Sequence, residues 1–243
     1  MRETCRALLF ASFILCGGLG VAAPDLSRRG QLLNVGDFYA ADADPKSGET
    51  WYALASDSAD YALHVGRISV DSKIVPGLTS RTNAVRQLKV EIDTPGKALI
   101  LVRGIPGLRE GHLRTDAGAY TVVRPGTTRA LGNYGDERIW LEASSRPFNK
   151  GKGFGRGWTR YSLKMKSSSG KPPQQIAQIE CYPGGPNPSV MWAGDLDRDG
   201  APDLLMDLNV GETGASDLAL FLSSAARGTE RLRCVAKLHK LGC

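Results

Sequence analysis

Thr159-Arg160-Tyr161-Ser162-Leu163-Lys164-Met165-Lys166 places Tyr161, Leu163 and Met165 on one register and Arg160, Ser162, Lys164 and Lys166 on the other. Successive side chains of a strand point to opposite faces, so a period of two reads as a strand half buried in a sheet. Leu88, Val90 and Ile92 alternate with Lys89, Glu91 and Asp93 in the same way. Shorter runs of this kind are 51–55, 61–65, 98–103, 120–123, 138–142, 175–181, 189–193, 203–209, 217–223 and 231–239. Turn chemistry separates them: Pro76-Gly77, Pro95-Gly96, Pro106-Gly107, Pro125-Gly126 and Pro183-Gly184-Gly185. No segment sustains a helical stripe, and short helices are expected only near 82–88 and 223–227. The fold class that follows is mostly β: an antiparallel sandwich or partly open barrel with few short helices.

A soft boundary is expected in the Gly- and cation-rich stretch 146–158 or in 167–173. It would separate an N-terminal β region, 24–145, from a C-terminal β region, 174–243, with 146–173 as loop or linker. Either stretch also reads as a long hairpin loop inside one domain. Trp51, Trp140 and Trp192 sit in apolar strand patterns and are expected in the core.

The first residues read as a secretory leader, 1–23. Arg2 and Arg6 precede an apolar run from Ala7 to Leu15, and small residues close the segment. Cys16 raises lipidation, but Phe13-Ile14-Leu15 puts a bulky side chain where a small one is needed. No later stretch reaches the roughly 18 apolar residues of a membrane helix. The formal net charge of +6 is a mild excess spread along the chain. A nucleic-acid partner calls for a clustered footprint. Three cysteines follow the leader: Cys181, Cys234 and Cys243. An oxidising compartment favours one disulfide among them, and the sequence leaves the pairing open.

One segment carries chemistry: Gly194-Asp195-Leu196-Asp197-Arg198-Asp199-Gly200-Ala201-Pro202-Asp203-Leu204. Calcium takes six to eight oxygens in flexible geometry, several of them from carboxylates. Asp195, Asp197 and Asp199 at alternate positions, then Gly200, wrap oxygens around one point. The Ala201 carbonyl and the Asp203 carboxylate are expected to complete the shell. Without a cation, four carboxylates in one tight turn repel each other. Magnesium demands stricter octahedral geometry and keeps its waters. An EF-hand is excluded, because Met206 stands at the twelfth position where a bidentate Glu belongs. The flanks, 190–192 and 204–206, are short and apolar like strands.

The segment resembles the FG-GAP or integrin-like repeat, whose calcium loop reads GDxDxDGxxDL between two strands. The resemblance implies side-chain ligation by Asp195, Asp197, Asp199 and Asp203 and carbonyl ligation by Ala201, in a strand–loop–strand hairpin. It covers about 20 residues in a single copy, so neither a full propeller nor the family's adhesive roles follow from it.

Other features read as structural. Phe148, Phe154 and Trp158 interleave with Arg146, Lys150, Lys152, Arg156 and Arg160 in a surface hairpin; the alternative is a grip on an anionic ligand. His64, His112 and His239 are scattered, and no nucleophile elbow is present. Ser168 and Lys171 fit SxxK only in a Ser/Gly/Pro linker. Asp207 and Asp217 read as solvated strand-edge residues. The expected function is that of a periplasmic or secreted calcium-binding protein, a non-enzymatic binding or structural module. Its partner would be an envelope or extracellular ligand, glycan or protein. A calcium-supported hydrolase of envelope polymers is the alternative.

Overall fold

The computed structural model describes residues 30–39, 44–57, 60–76, 84–117, 121–148, 157–182, 187–208 and 216–240, which form three sheets and no helix. The leader, most of the basic and aromatic hairpin and the side chains of Cys181 and Cys243 lie outside the described residues. The disulfide expectation therefore falls outside them too. No helix among the described residues is long and apolar enough to cross a membrane.

The first sheet holds β1 (Gln31–Leu33), β2 (Gly36–Tyr39), β3 (Thr50–Asp57), β4 (Asp60–Pro76), β5 (Ala84–Ile92), β6 (Lys97–Arg103) and β7 (Gly111–Leu113). Its order is β1-β6-β3-β4-β5-β2, with β7 also pairing β4. The edge strands β1 and β2 are joined by Asn34 and Val35 alone. Three residues of chain span at most about 11 Å, so the sheet must curl until its edges meet. Inside the curl lie Leu33, Phe38, Trp51, Ala53, Ile68, Leu88, Val90 and Leu101. Their neighbours Leu32, Leu54, Ile100 and Val102 face outward, toward the next layer.

That layer is the central sheet: β8 (Thr115–Ala117), β9 (Thr121–Val122), β14 (Ser189–Gly194), β15 (Asp203–Asp207), β16 (Ser216–Leu222) and β17 (Arg233–Lys240). Its order is β17-β16-β15-β14-β8, and β9 also pairs β14. Trp192, Leu205, Leu218 and Leu220 face the curled sheet. Val190, Ala193, Leu204, Met206, Ala219 and Phe221 face the other way. Burial on both faces explains why 204–206 and 218–222 are unbroken apolar runs instead of alternations.

The third layer is a four-stranded antiparallel sheet of β10 (Thr128–Tyr134), β11 (Glu137–Phe148), β12 (Gly157–Ser167) and β13 (Gln174–Tyr182), in that order. Leu141, Tyr161, Leu163 and Met165 pack from it against the central sheet. The stretches 149–156 and 168–173 each connect hydrogen-bonded neighbours of this one sheet.

Three expectations need correction. Residues 84–92 are strand β5, not helix: Leu88 and Val90 are buried and the whole segment pairs with β4. The stretch 223–227 is a turn, in which Ala226 N–H donates to Ser223 O at 3.0 Å. Trp51 and Trp192 are core, at 3% and 0% exposure. Trp140 is not. Ile139 and Leu141 on either side of it point inward, so Trp140 takes the outer face of the four-stranded sheet and is part-exposed.

Candidate metal centre

The acidic loop leaves β14 at Gly194, where any side chain is excluded. A Cβ there would lie 2.3 Å from Arg114 O and 2.5 Å from the Trp192 ring. That close approach lets Asp195 N–H donate to Arg114 O at 2.9 Å, fixing the start of the loop. Leu196 then turns inward and is buried between the central and curled sheets. The chain passes through left-handed conformations at Arg198, φ 62°, and Gly200, φ 88°. Glycine takes that region freely, whereas Arg198 does so at a cost of roughly 1 kcal/mol. Its guanidinium offsets the cost by donating to Glu110 O at 3.1 Å and His112 O at 3.2 Å.

Carboxylates organise the rest. Asp195 accepts from Asp199 N–H at 3.0 Å and from Gly200 N–H at 2.9 Å, folding the loop over itself. Asp203, at 0% exposure, accepts from Leu196 N–H at 2.7 Å and from Ser223 N–H at 2.8 Å. It thereby joins the loop to the end of β16. Asp195, Asp197 and Asp203 converge, each offering an oxygen within 4.8 Å of the others. Oxygens of one calcium shell lie up to about 5 Å apart, so one ion can touch all three.

The electrostatics are those of a crowded anionic site. Burial pushes the Asp203 carboxyl up to about 7, and the Asp197 charge adds to the shift. Burial also raises Asp195, with Asp199 and Asp197 contributing. Backbone N–H groups oppose both shifts without overcoming them. Asp197 Oδ2 accepts from the Ser224 hydroxyl, while Asp197 Oδ1 is buried with no hydrogen-bond partner. A buried carboxylate oxygen without a donor is costly, and a cation removes that cost. The residues present fit a hard divalent ion: all the donors are carboxylate oxygens, and Asp197 carries a buried oxygen that lacks any other partner. The cluster can hold a metal ion.

Not every expected ligand joins the trio. Asp199 stands aside, its oxygens taken by Ser223 Oγ at 3.0 and 2.9 Å and by Ala201 N–H at 2.8 Å. Ala201 thus enters the loop's bonding through its N–H. Asp207 and Asp217 lie at the far ends of β15 and β16, and Asp217 pairs with His239 at 2.5 Å. His64 lies 4.0 Å from Glu110, and His112 serves the loop only through its carbonyl. Ser168 and Lys171 sit in the turn after β12, where the Ser168 hydroxyl accepts from Arg138 N–H at 2.9 Å.

The residues that sequence reasoning missed are Ser223 and Ser224. Their only sequence signal is a pair of hydroxyls closing the apolar run 218–222. Pairing of Leu204 with Phe221 brings that strand end beside Asp203. Comparisons with models of protein families, with curated proteins and with solved structures find no match to this chain. Fold and loop define the class instead: a three-layered antiparallel β protein with an acidic strand–loop–strand cluster that can hold a metal ion.

Proposed function

We propose that the chain is an exported calcium-binding protein of the cell envelope or extracellular space, acting as a non-enzymatic binding or structural module. The observation that carries this reading is the convergence of Asp195, Asp197 and Asp203, together with the buried and unpartnered Oδ1 of Asp197. Calcium suits the site better than magnesium, because the donors come from an irregular loop and one is fully buried. Magnesium would keep several waters and demand an octahedron. The likeness to the FG-GAP loop supports the same ion, and the leader-like first residues support export.

The ion's task is to hold the ends of elements together. The loop touches the curled sheet through Arg198, β8's approach through Asp195, and β16 through Ser223 and Ser224. Neutralising the trio strengthens all of these at once. Extracellular calcium modules bind with dissociation constants of roughly 10⁻⁴ to 10⁻³ M. At 10 mM calcium the fold then gains about 1 to 3 kcal/mol. Calorimetric titration should show one site in that range, and thermal melts should rise from chelator to calcium. An identical melting temperature in both buffers, with no binding heat, would refute the reading.

A further inference from the structure

The outer face of the four-stranded sheet sets one part-exposed tryptophan among polar and charged side chains. Register puts Trp140 beside Ala130 on one side and Lys166 on the other. Glu142 stands opposite Lys164 in register but reaches Lys166, whose Nζ lies 2.8 Å from both carboxylate oxygens. Arg138 and Lys164, both exposed, have no ion-pair partner among the described residues. Strand geometry sets their backbones about 14 Å apart, four residues along and one strand across, with Trp140 between them. The Trp140 indole N–H has no acceptor among the described residues, although tryptophan N–H groups normally find one. Ser144, Ser162 and Gln175 continue the face; the Ser162 hydroxyl donates to Gln175 Oε1 at 3.2 Å and the Gln175 amide to the carbonyls of Leu163 and Ala177, which leaves Ser144 as the exposed hydroxyl.

We infer that this face binds a linear carboxylated glycan. The apolar face of one sugar ring lies on Trp140, and carboxylates on flanking sugars meet Arg138 and Lys164. The indole N–H and the Ser144 hydroxyl serve ring hydroxyls. The charge pattern selects this occupant over a nucleic acid. A nucleic-acid strand presents a phosphate about every 3.4 Å and needs a dense cationic track, with several aromatics for unpaired bases. Here two free cations are widely spaced around one aromatic. The inference is independent of the metal reading, because none of these residues touches the acidic loop.

The test is binding of a hyaluronan octasaccharide to the full chain in EDTA, followed by tryptophan fluorescence and by affinity electrophoresis. Native chain should bind, shift its emission and weaken with salt. Trp140→Ala should lose affinity at least tenfold and abolish the emission change. Arg138→Gln with Lys164→Gln should lose at least tenfold and flatten the salt dependence, while Trp140→Phe retains part of the affinity. Melting temperatures within a few degrees of native would confirm that these outer-face variants fold. No binding of the octasaccharide overturns the inference. So does equal binding of a single-stranded oligonucleotide, or affinity that ignores all three variants.

Discussion

Asp197→Asn separates a metal site from an ordinary acidic turn, because it should move stability in opposite directions with and without calcium. The substitution removes one of three charges whose oxygens lie within 4.8 Å of one another. Two unit charges at that distance repel by roughly 3 kcal/mol at an effective dielectric constant near 20. Solvent on the open side of the loop, and the raised Asp203 carboxyl, which is partly protonated near neutrality, reduce this to about 1 kcal/mol. The Ser224 hydroxyl keeps an amide oxygen to donate to, so little else is lost. In chelator the variant should therefore melt about 2 to 4 °C above native. In 10 mM calcium it should gain less than half of the native increment, since a charged ligand has become neutral. Differential scanning calorimetry of both proteins in both buffers reads the four values. A variant that is destabilised in chelator and responds to calcium like the native chain would refute the reasoning, because the trio would then be neither crowded nor ligating.

Further outcomes follow from contacts away from the charges. Gly194→Ala forces a methyl against the Arg114 carbonyl and the Trp192 ring, so urea melts should show a loss of about 2 to 4 kcal/mol. Arg198→Ala should cost about 1 to 2 kcal/mol through the lost bonds to the carbonyls of residues 110 and 112. Arg198→Gly should cost about 1 kcal/mol less than the alanine variant, because the left-handed backbone no longer carries a Cβ. Hydroxyls of Ser167 and Ser169 and the Arg231 guanidinium hold the Glu137 carboxyl well below the carboxylate range, at about 2. Its contribution is complete above pH 4.5 and is lost as pH falls toward 2, an effect of about 1 kcal/mol for this part-exposed pair. Acid titration of Glu137→Gln should lack that loss, and an unchanged acid limb would contradict it.

Much of this architecture was legible because alternation is a local signal. β5, β12 and β13 announce themselves through side chains two residues apart, and the central strands through apolar runs. Strands whose faces are mostly solvated gave no such signal. The end of β4, 71–76, carries Asp71, Ser72 and Lys73 on exposed positions and is held by its partner β5, not by burial. A short helix was expected near 82–88, yet pairing with β4 makes 84–92 a strand. The acidic trio was readable from spacing and the turn at Gly200. What spacing could not give was the set of hydroxyls from β16, or the displacement of Asp199 onto Ser223, since both depend on which strand lies beside β15. Trp140 was misplaced for a related reason: composition marks an aromatic as core, while register alone says which face it occupies.

The sheet that carries the acidic loop is sandwiched between the other two, and this has a consequence for how the chain reaches its native state. Its strands 204–206 and 218–222 have no side suited to water, so they stay sticky until both outer layers arrive. A five-residue run of Leu218, Ala219, Leu220, Phe221 and Leu222, free of charge and proline, is a ready template for intermolecular stacking in the meantime. Their own hairpins are local in sequence, but the layers that cover them come from distant parts of the chain, and such contacts form slowly. Asp203 and Ser223 are the polar residues that bound these two runs, one before 204–206 and the other after 218–222.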